Sequence, residues 1–259
     1  MSTAQDDWKH WIDQRVITAR APHGPLALTG THWLRDLGPG VPGVPGRWEL
    51  DAEGGCVTLT AARHDGLAVD DEPLDRTVRL CPDTAAKPSR ITYGGRRLLL
   101  ILREGEYAVR VYDPAAPARA AFAGIAAHPY DAAWTLPARF TAYPDPQVVQ
   151  VDNADGRPRG LALAGEVAFE LDGSPLRLAV GRADSGALHA VFADADEQNY
   201  RFRFVDLPAP AEDGSTVLDL NRAYLPPCAF SDHFLCPFPP SGNRLTVAVA
   251  AGESRVLRH

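Results

Sequence analysis

Hydrophobic and polar positions follow two rhythms along this chain. Near its start Trp8, Trp11, Ile12, Arg15 and Val16 recur at helical spacing. Ser2, Asp6 and Asp7 supply capping or acidic groups ahead of them, so the pattern predicts an opening helix. Pro22 and the Gly24–Pro25 pair stop it, and the proline density of Pro39–Gly46 predicts turn or extended loop. From Trp48 onward the rhythm is one of short strands separated by turns. Cys56–Ala61, Thr77–Cys81, Arg97–Arg103 and Tyr107–Tyr112 are the clearest strands of the first half. The last two read as a hairpin closed at Arg103–Glu106. A stretch rich in Ala and Pro, from Pro114 to about Pro137, carries no sustained period. A domain boundary placed there gives residues 1–115 a helix and a small β-sandwich-like domain.

In residues 116–259 the predicted strands are Ala138–Tyr143, Gln147–Val151, Gly160–Leu171, Leu176–Gly181, Leu188–Asp194, Tyr200–Asp206, Val217–Leu220 and Leu245–Ala250. Asp152–Gly156 and Leu171–Gly173 are turn signatures. The chain is therefore expected to be mainly β. Its short antiparallel strands should form a sandwich or barrel, with an N-terminal helix and, in the second domain, a loop rich in proline and aromatic residues. The pattern contains no Gly-rich phosphate loop and no crossover helices between strands, which argues against a nucleotide-binding α/β fold.

Composition narrows the function classes. Among 259 residues 45% are apolar, ordinary for a globular chain, and 26 basic against 33 acidic residues give a net charge of −7. That balance disfavours nucleic acid and acidic membranes as partners. The opening residues are polar, without a signal-peptide pattern, and no apolar run is long enough to span a bilayer. The expectation is a cytoplasmic monomer or small homo-oligomer. The four cysteines, Cys56, Cys81, Cys228 and Cys236, form no CxxC motif and read as reduced thiols. A bridge or zinc site at Cys228 and Cys236 requires the intervening proline-rich loop to fold back, and neither a metal nor a cofactor is expected.

Candidate chemistry gathers in the C-terminal third. Period-two geometry places Phe192 and Asp194 on one strand face, and Tyr200, Phe202 and Phe204 opposite Arg201 and Arg203. The same rule turns Leu218 and Leu220 inward and Asp219 and Asn221 outward. Asp194 and Asp196 are suited to holding a metal, sharing a proton, or capping a turn. Arg203 is suited to a substrate carboxylate or to a salt bridge with Asp194 or Asp219. Asp219 opens a segment in which Asn221, Tyr224, Ser231, His233 and Asn243 are the hydrogen-bonding members. Prolines and aromatic rings make its loop stiff. Cys228 near His233 allows a nucleophile-and-base pair or a buried inert thiol.

Asp219–Ser231 (Asp-Leu-Asn-Arg-Ala-Tyr-Leu-Pro-Pro-Cys-Ala-Phe-Ser), Cys236–Pro240, Asn243–Leu245 and Ala251–Glu253 resemble the DUF1684 family of uncharacterised bacterial proteins. Upstream, Gly24–Leu26, Trp33–Leu34, Arg110–Asp113, Phe122–Gly124, and Phe192 with Asp194 fit as well. The resemblance implies a polar site near Asp194, Tyr200, Arg203, Asp219, Asn221 and Tyr224, and carries no reaction with it. Ala195–Asn199 departs from a Thr- and Gly-containing turn usual in relatives. The first half is also similar to a forkhead-associated-like sandwich, without the Arg, Ser and Asn set of a phosphothreonine pocket.

The expected function is binding of a small polar or anionic molecule in a pocket of the second domain, through Tyr200, Arg203, Asn221, Tyr224 and His233. One alternative is a hydrolase or lyase using Asp194 or Asp219 as base with Arg203. The other is a protein-interaction module using the aromatic loop at 224–240.

Overall fold

The computed structural model describes residues 3–38, 40–51 and 55–259, so the roles assigned to Ser2 and Pro39 fall outside the described residues. The chain opens with α1 (Ala4–Arg20). Asp6 N donates to Thr3 Oγ1 at 3.2 Å while Thr3 N donates back to the Asp6 carboxylate at 3.2 Å. This reciprocal cap satisfies two end groups of the helix. The chain then divides into two compact units, Thr18–Ala121, and Met1–Ile17 with Phe122–His259.

The Thr18–Ala121 unit contains β1 (Leu28–Trp33), β2 (Arg47–Leu50), β3 (Val57–Ala61), β4 (Leu67–Val69), β5 (Glu72–Pro73), β6 (Arg76–Leu80), β7 (Ile91–Tyr93), β8 (Arg96–Arg103) and β9 (Glu106–Tyr112), then the short α2 (Pro117–Ala120). They form a six-stranded sheet, β1-β9-β8-β7-β4-β5, and a three-stranded sheet, β2-β3-β6. Alternate residues from both, including Trp48, Leu59, Ile91, Leu100 and Val109, meet in one core.

The second unit holds β10 (Phe122–Ala127), β11 (Thr135–Val151), β12 (Arg159–Leu171), β13 (Ser174–Arg182), β14 (Leu188–Phe192), β15 (Arg203–Leu207), β16 (Ser215–Asp219) and β17 (Glu253–Arg258). Six of them form an antiparallel half-barrel in the order β15-β14-β13-β12-β11-β16, and β10 pairs with β17. One face of the half-barrel, with Val167, Phe169, Leu178, Val180, Leu188, Phe192 and Val205, builds the core. The mainly-β, antiparallel class with an N-terminal helix is the one the sequence pattern indicates.

Two segments differ from the pattern. Residues 138–151, read as two strands, lie in the single strand β11, whose register with β12 shifts between Ala142 and Gln147. Pro144 and Pro146 fall in that irregular stretch, where no ladder N–H is required of them. Leu245–Ala250 is irregular, and the last strand is β17. The Leu245–Ala250 backbone is held partly by Ala193 O, which accepts from Leu245 N at 2.8 Å, and by Ala195 N, which donates to Val247 O at 3.0 Å, and partly by side chains. Asp194 Oδ1 accepts from Val249 N at 3.2 Å, and Val249 O accepts from Asn199 at 3.0 Å and Arg203 at 3.1 Å. Among the described residues no helix is long and apolar enough to cross a membrane.

Candidate functional site

The guanidinium of Arg203 and the carboxylate of Asp194 form an interior clasp. Arg203 Nη2 donates to Asp194 Oδ2 at 2.9 Å, with side-chain exposures of 0% and 2%. Arg203 starts β15 on the same face as Val205, and its guanidinium stands over the Phe192 ring at 5.3 Å. Its Nη1 donates to Glu253 O at 3.1 Å and to Ala251 O. Burial outweighs the favourable Asp194 charge and lowers the Arg203 pKa from its usual value. Asp194 also accepts from Asp196 N at 2.9 Å and from Asn199 Nδ2 at 3.1 Å, so it closes a turn. The strand alternation that sets Arg203 against the apolar residues is corrected here. The β-strand begins only at Arg203, and Phe204, not Arg203, faces away from the core.

Asp219 and Asn221 are brought together elsewhere. Asp219 Oδ1 accepts from Asn221 N at 3.1 Å and Asn221 Nδ2 at 3.0 Å, capping a 3-10 turn at Leu220–Arg222. Asn221 then exchanges bonds with the backbone of Asp131 (Nδ2 to O at 2.9 Å, N to Oδ1 at 3.1 Å). Its expected outward orientation is also corrected. β16 ends at Asp219, and the turn carries Asn221 to 1% exposure.

Tyr200 reaches the Cys228 carbonyl with its hydroxyl at 3.4 Å. His233 is exposed at the tip of the proline-rich loop, with its N–H donating to Ser231 Oγ at 3.3 Å. Phe230 and Phe234 of that loop are buried.

The face of the half-barrel opposite the core carries a cleft of about 550 Å³. Ala162, Ala164, Ala179, Gly181 and Val191 make a floor of small apolar groups, with Arg182 and His189 as its charged or titratable members. The floor follows from strand register, because His189 on β14 pairs with Gly181 on β13 and Asp206 on β15. A side chain at Gly181 would bring a Cβ within 3.1 Å of Ala162 O, so glycine keeps the sheet close there. Asn243 closes one end, fixed by bonds to Ala179 N and O and to Val191 O, each 2.8 Å.

Behind the cleft lies a relay of polar groups that sequence reasoning only partly found. His189 Nδ1 meets Asp206 Oδ1 at 2.6 Å, and Tyr224 OH donates to Asp206 Oδ2 at 3.1 Å. Phe204 packs edge-on against both rings, at 5.0 Å from His189 and 5.8 Å from Tyr224. Reciprocal backbone bonds between Phe204 and Tyr224 (2.9 and 2.8 Å) set that spacing. Burial disfavours the Asp206 carboxylate, yet the His189 hydrogen bond and charge, joined by Tyr224, hold its pKa below the usual carboxylate range. Burial, then the Asp206 charge, pushes the Tyr224 phenol up. Arg15 of α1 stands over the Tyr224 ring at 4.8 Å and binds the fully buried Glu253 at 2.7 Å. The signal available in the sequence for Asp206 is its place two residues after Phe204, on the same strand face, beside a second strand carrying His189.

Among the described residues no three His, Cys, Asp or Glu side chains assemble into a metal-binding group. The half-barrel with its apolar cleft and buried polar clasp defines the second unit as mainly β, built around one curved antiparallel sheet. Residues 120–254 match the model of the family described as "Protein of unknown function (DUF1684)", and the chain belongs to that family. The chain is also similar to an uncharacterized protein of Haloarcula marismortui solved by solution NMR, at 33% identity over 53% of this chain and 77% of that one, with a TM-score of 0.43. No curated protein matches it.

Proposed function

We propose that the Phe122–His259 unit binds a small molecule with an apolar body and a polar or anionic head in the cleft over β12, β13 and β14. The observation that carries this reading is the cleft itself, about 550 Å³, within the size range of small-molecule sites and apolar apart from a few polar groups. The body rests on Ala162, Ala164, Ala179 and Val191. The head meets Arg182, whose guanidinium lies 5.6 Å from the Phe140 ring, and the ring of His189. Asp206 on Nδ1 orients that imidazole and leaves its other nitrogen for the ligand.

Of the residues expected from sequence, Tyr224 braces Asp206 behind the cleft. Arg203 and Asp194 bind one another and the backbone at Val249, and Asn221 binds Asp131 O. A hydrolase or lyase built on Asp194, Asp219 and Arg203 has less support, since Asp194 and Arg203 are sealed in the interior. The interaction module has less support because Phe230 and Phe234 are buried.

Calorimetric titration with short aliphatic and aromatic carboxylates, beside their uncharged amides, tests the proposal. Ala179→Leu fills the floor and should abolish binding. Arg182→Ala should remove roughly tenfold of the preference for carboxylate over amide, the size of one charge-assisted hydrogen bond. Unchanged affinity in the folded Ala179→Leu protein sinks the reading.

A further inference from the structure

The proline-rich loop brings together two thiols that no part of the proposed binding site uses. Cys228 lies in the 3-10 turn Pro227–Ala229, and both it and Cys236 are buried. The Cys228 N–H donates to Cys236 Sγ at 3.2 Å. One N–Cα bond of about 1.46 Å separates that nitrogen from the Cys228 Cα, so Cys236 Sγ is no more than about 4.7 Å from the Cα. The Cys228 thiol also touches the Tyr200 hydroxyl, Oη to Sγ 3.8 Å. Sequence spacing alone left these cysteines unconnected; the fold closes the eight-residue step between them.

We propose that Cys228 and Cys236 form a peroxide-reactive dithiol that converts reversibly to an intramolecular disulfide. The Cys228 thiolate attacks one oxygen of a hydroperoxide, the O–O bond breaks, and the other oxygen leaves as alkoxide or hydroxide and takes up a proton. Cys228 becomes a sulfenic acid. Cys236 sulfur, as it loses its proton, then displaces water from that sulfenic acid and the S–S bond forms. Two electrons pass from the two thiols to the peroxide, and a dithiol reductant reverses the change.

The surroundings suit Cys228 to the first step. A hydrogen bond from Cys236 lowers its pKa against the opposing effect of burial. Tyr200 and the Arg201 charge lower it further, to about 7, where much of the thiol is ionised at neutral pH. Cys236, one hydrogen bond away, is placed to resolve the sulfenic acid. The exposed Cys81 serves as an internal control.

Trypsin cleaves after Arg222 and Arg244, so both cysteines fall on the single peptide Ala223–Arg244. Native protein is treated with hydrogen peroxide, denatured, alkylated and digested. The expected peptide is lighter by two hydrogens and carries no alkyl label, and dithiothreitol before alkylation restores two labels. If the peptide keeps both labels at a peroxide dose that has oxidised Cys81, the proposal is overturned. In the Cys236→Ser protein the Cys228 sulfenic acid persists and takes a dimedone tag. A folded variant that takes none, or a wild-type peptide carrying sulfonic acid without the disulfide, also overturns it.

Discussion

Arg203 shows how far a residue's surroundings can redirect its chemistry. A strand-borne arginine beside two aspartates has the makings of an anion site, but here its Nη1 and Nη2 donors hold Asp194 and the backbone at Val249, Ala251 and Glu253. Removing one partner of a buried pair leaves the other uncompensated, so Arg203→Ala should cost about 3–5 kcal/mol. Urea denaturation of the full chain measures this. Replacing both partners, Arg203→Met with Asp194→Leu, should cost less than the sum of the single changes.

Asp206 gives a prediction of the same scale with a defined sign. Its folded pKa is depressed by His189 and Tyr224, so its contribution is fully present above the unfolded carboxylate value, about 3.9. That contribution is lost as pH falls through the still lower folded value. The Tm gap between wild type and Asp206→Asn should therefore be wider at about pH 5 than at about pH 2.5. A gap that widens between about pH 5 and about pH 2.5 contradicts the assignment. The side chain is 60% exposed, so solvent screening keeps the effect small.

At the scale of elements, α1 and β17 are held by one another's charges. Arg15 is partly exposed, but the Glu253 carboxylate it binds is fully buried and accepts a further bond from Leu225 N at 2.7 Å. Arg15→Ala should cost about 3 kcal/mol and raise hydrogen exchange in residues 4–17 and 253–258 together. Protection lost in the helix alone would contradict this coupling. Gly252, just before β17, has φ of 75°, and a Cβ there would lie 2.4 Å from Ala223 O. Gly252→Ala should destabilise by more than the roughly 0.4–1 kcal/mol by which an unstrained glycine-to-alanine change stabilises, seen as a lower urea midpoint.

The longer elements were legible in the sequence. The helix was visible because Trp8, Trp11, Ile12 and Arg15 repeat at its period, β8 because Leu98–Leu102 is a short apolar run, and β9, β12 and β13 because their apolar residues alternate. β1, β2, β4, β5, β7, β10 and β17 lie outside the strands the pattern predicts; in β17, Glu253-Ser-Arg-Val-Leu-Arg258 lacks a clean alternation and its first two residues are buried polar groups. Leu245–Ala250 reads as a strand because it is apolar. Val249 within it is held by the side chains of Asp194, Asn199 and Arg203, which local patterning does not register.

For the whole molecule, the organising fact is two compact units, each with its own core. Leu100 is fully buried in the Thr18–Ala121 core, and Leu100→Ala should cost about 2–5 kcal/mol. Hydrogen exchange resolved by peptide should show the largest loss of protection in β8 and β9. By itself the sequence determined the antiparallel β class, the opening helix, the stiff C-terminal loop and the family, because these rest on local periodicity and on contiguous motifs. Only the tertiary structure decided which polar groups are available for chemistry. Arg203 and Asp194 are turned inward by partners some fifty residues away in the chain, at Val249 and Ala251. His189 is turned toward a cleft by an aspartate on the next strand, and Cys228 is set against Cys236 by the fold of the loop between them. Hydrogen bonds of that kind depend on where the chain returns in space, and residue order alone does not encode that return in any local pattern.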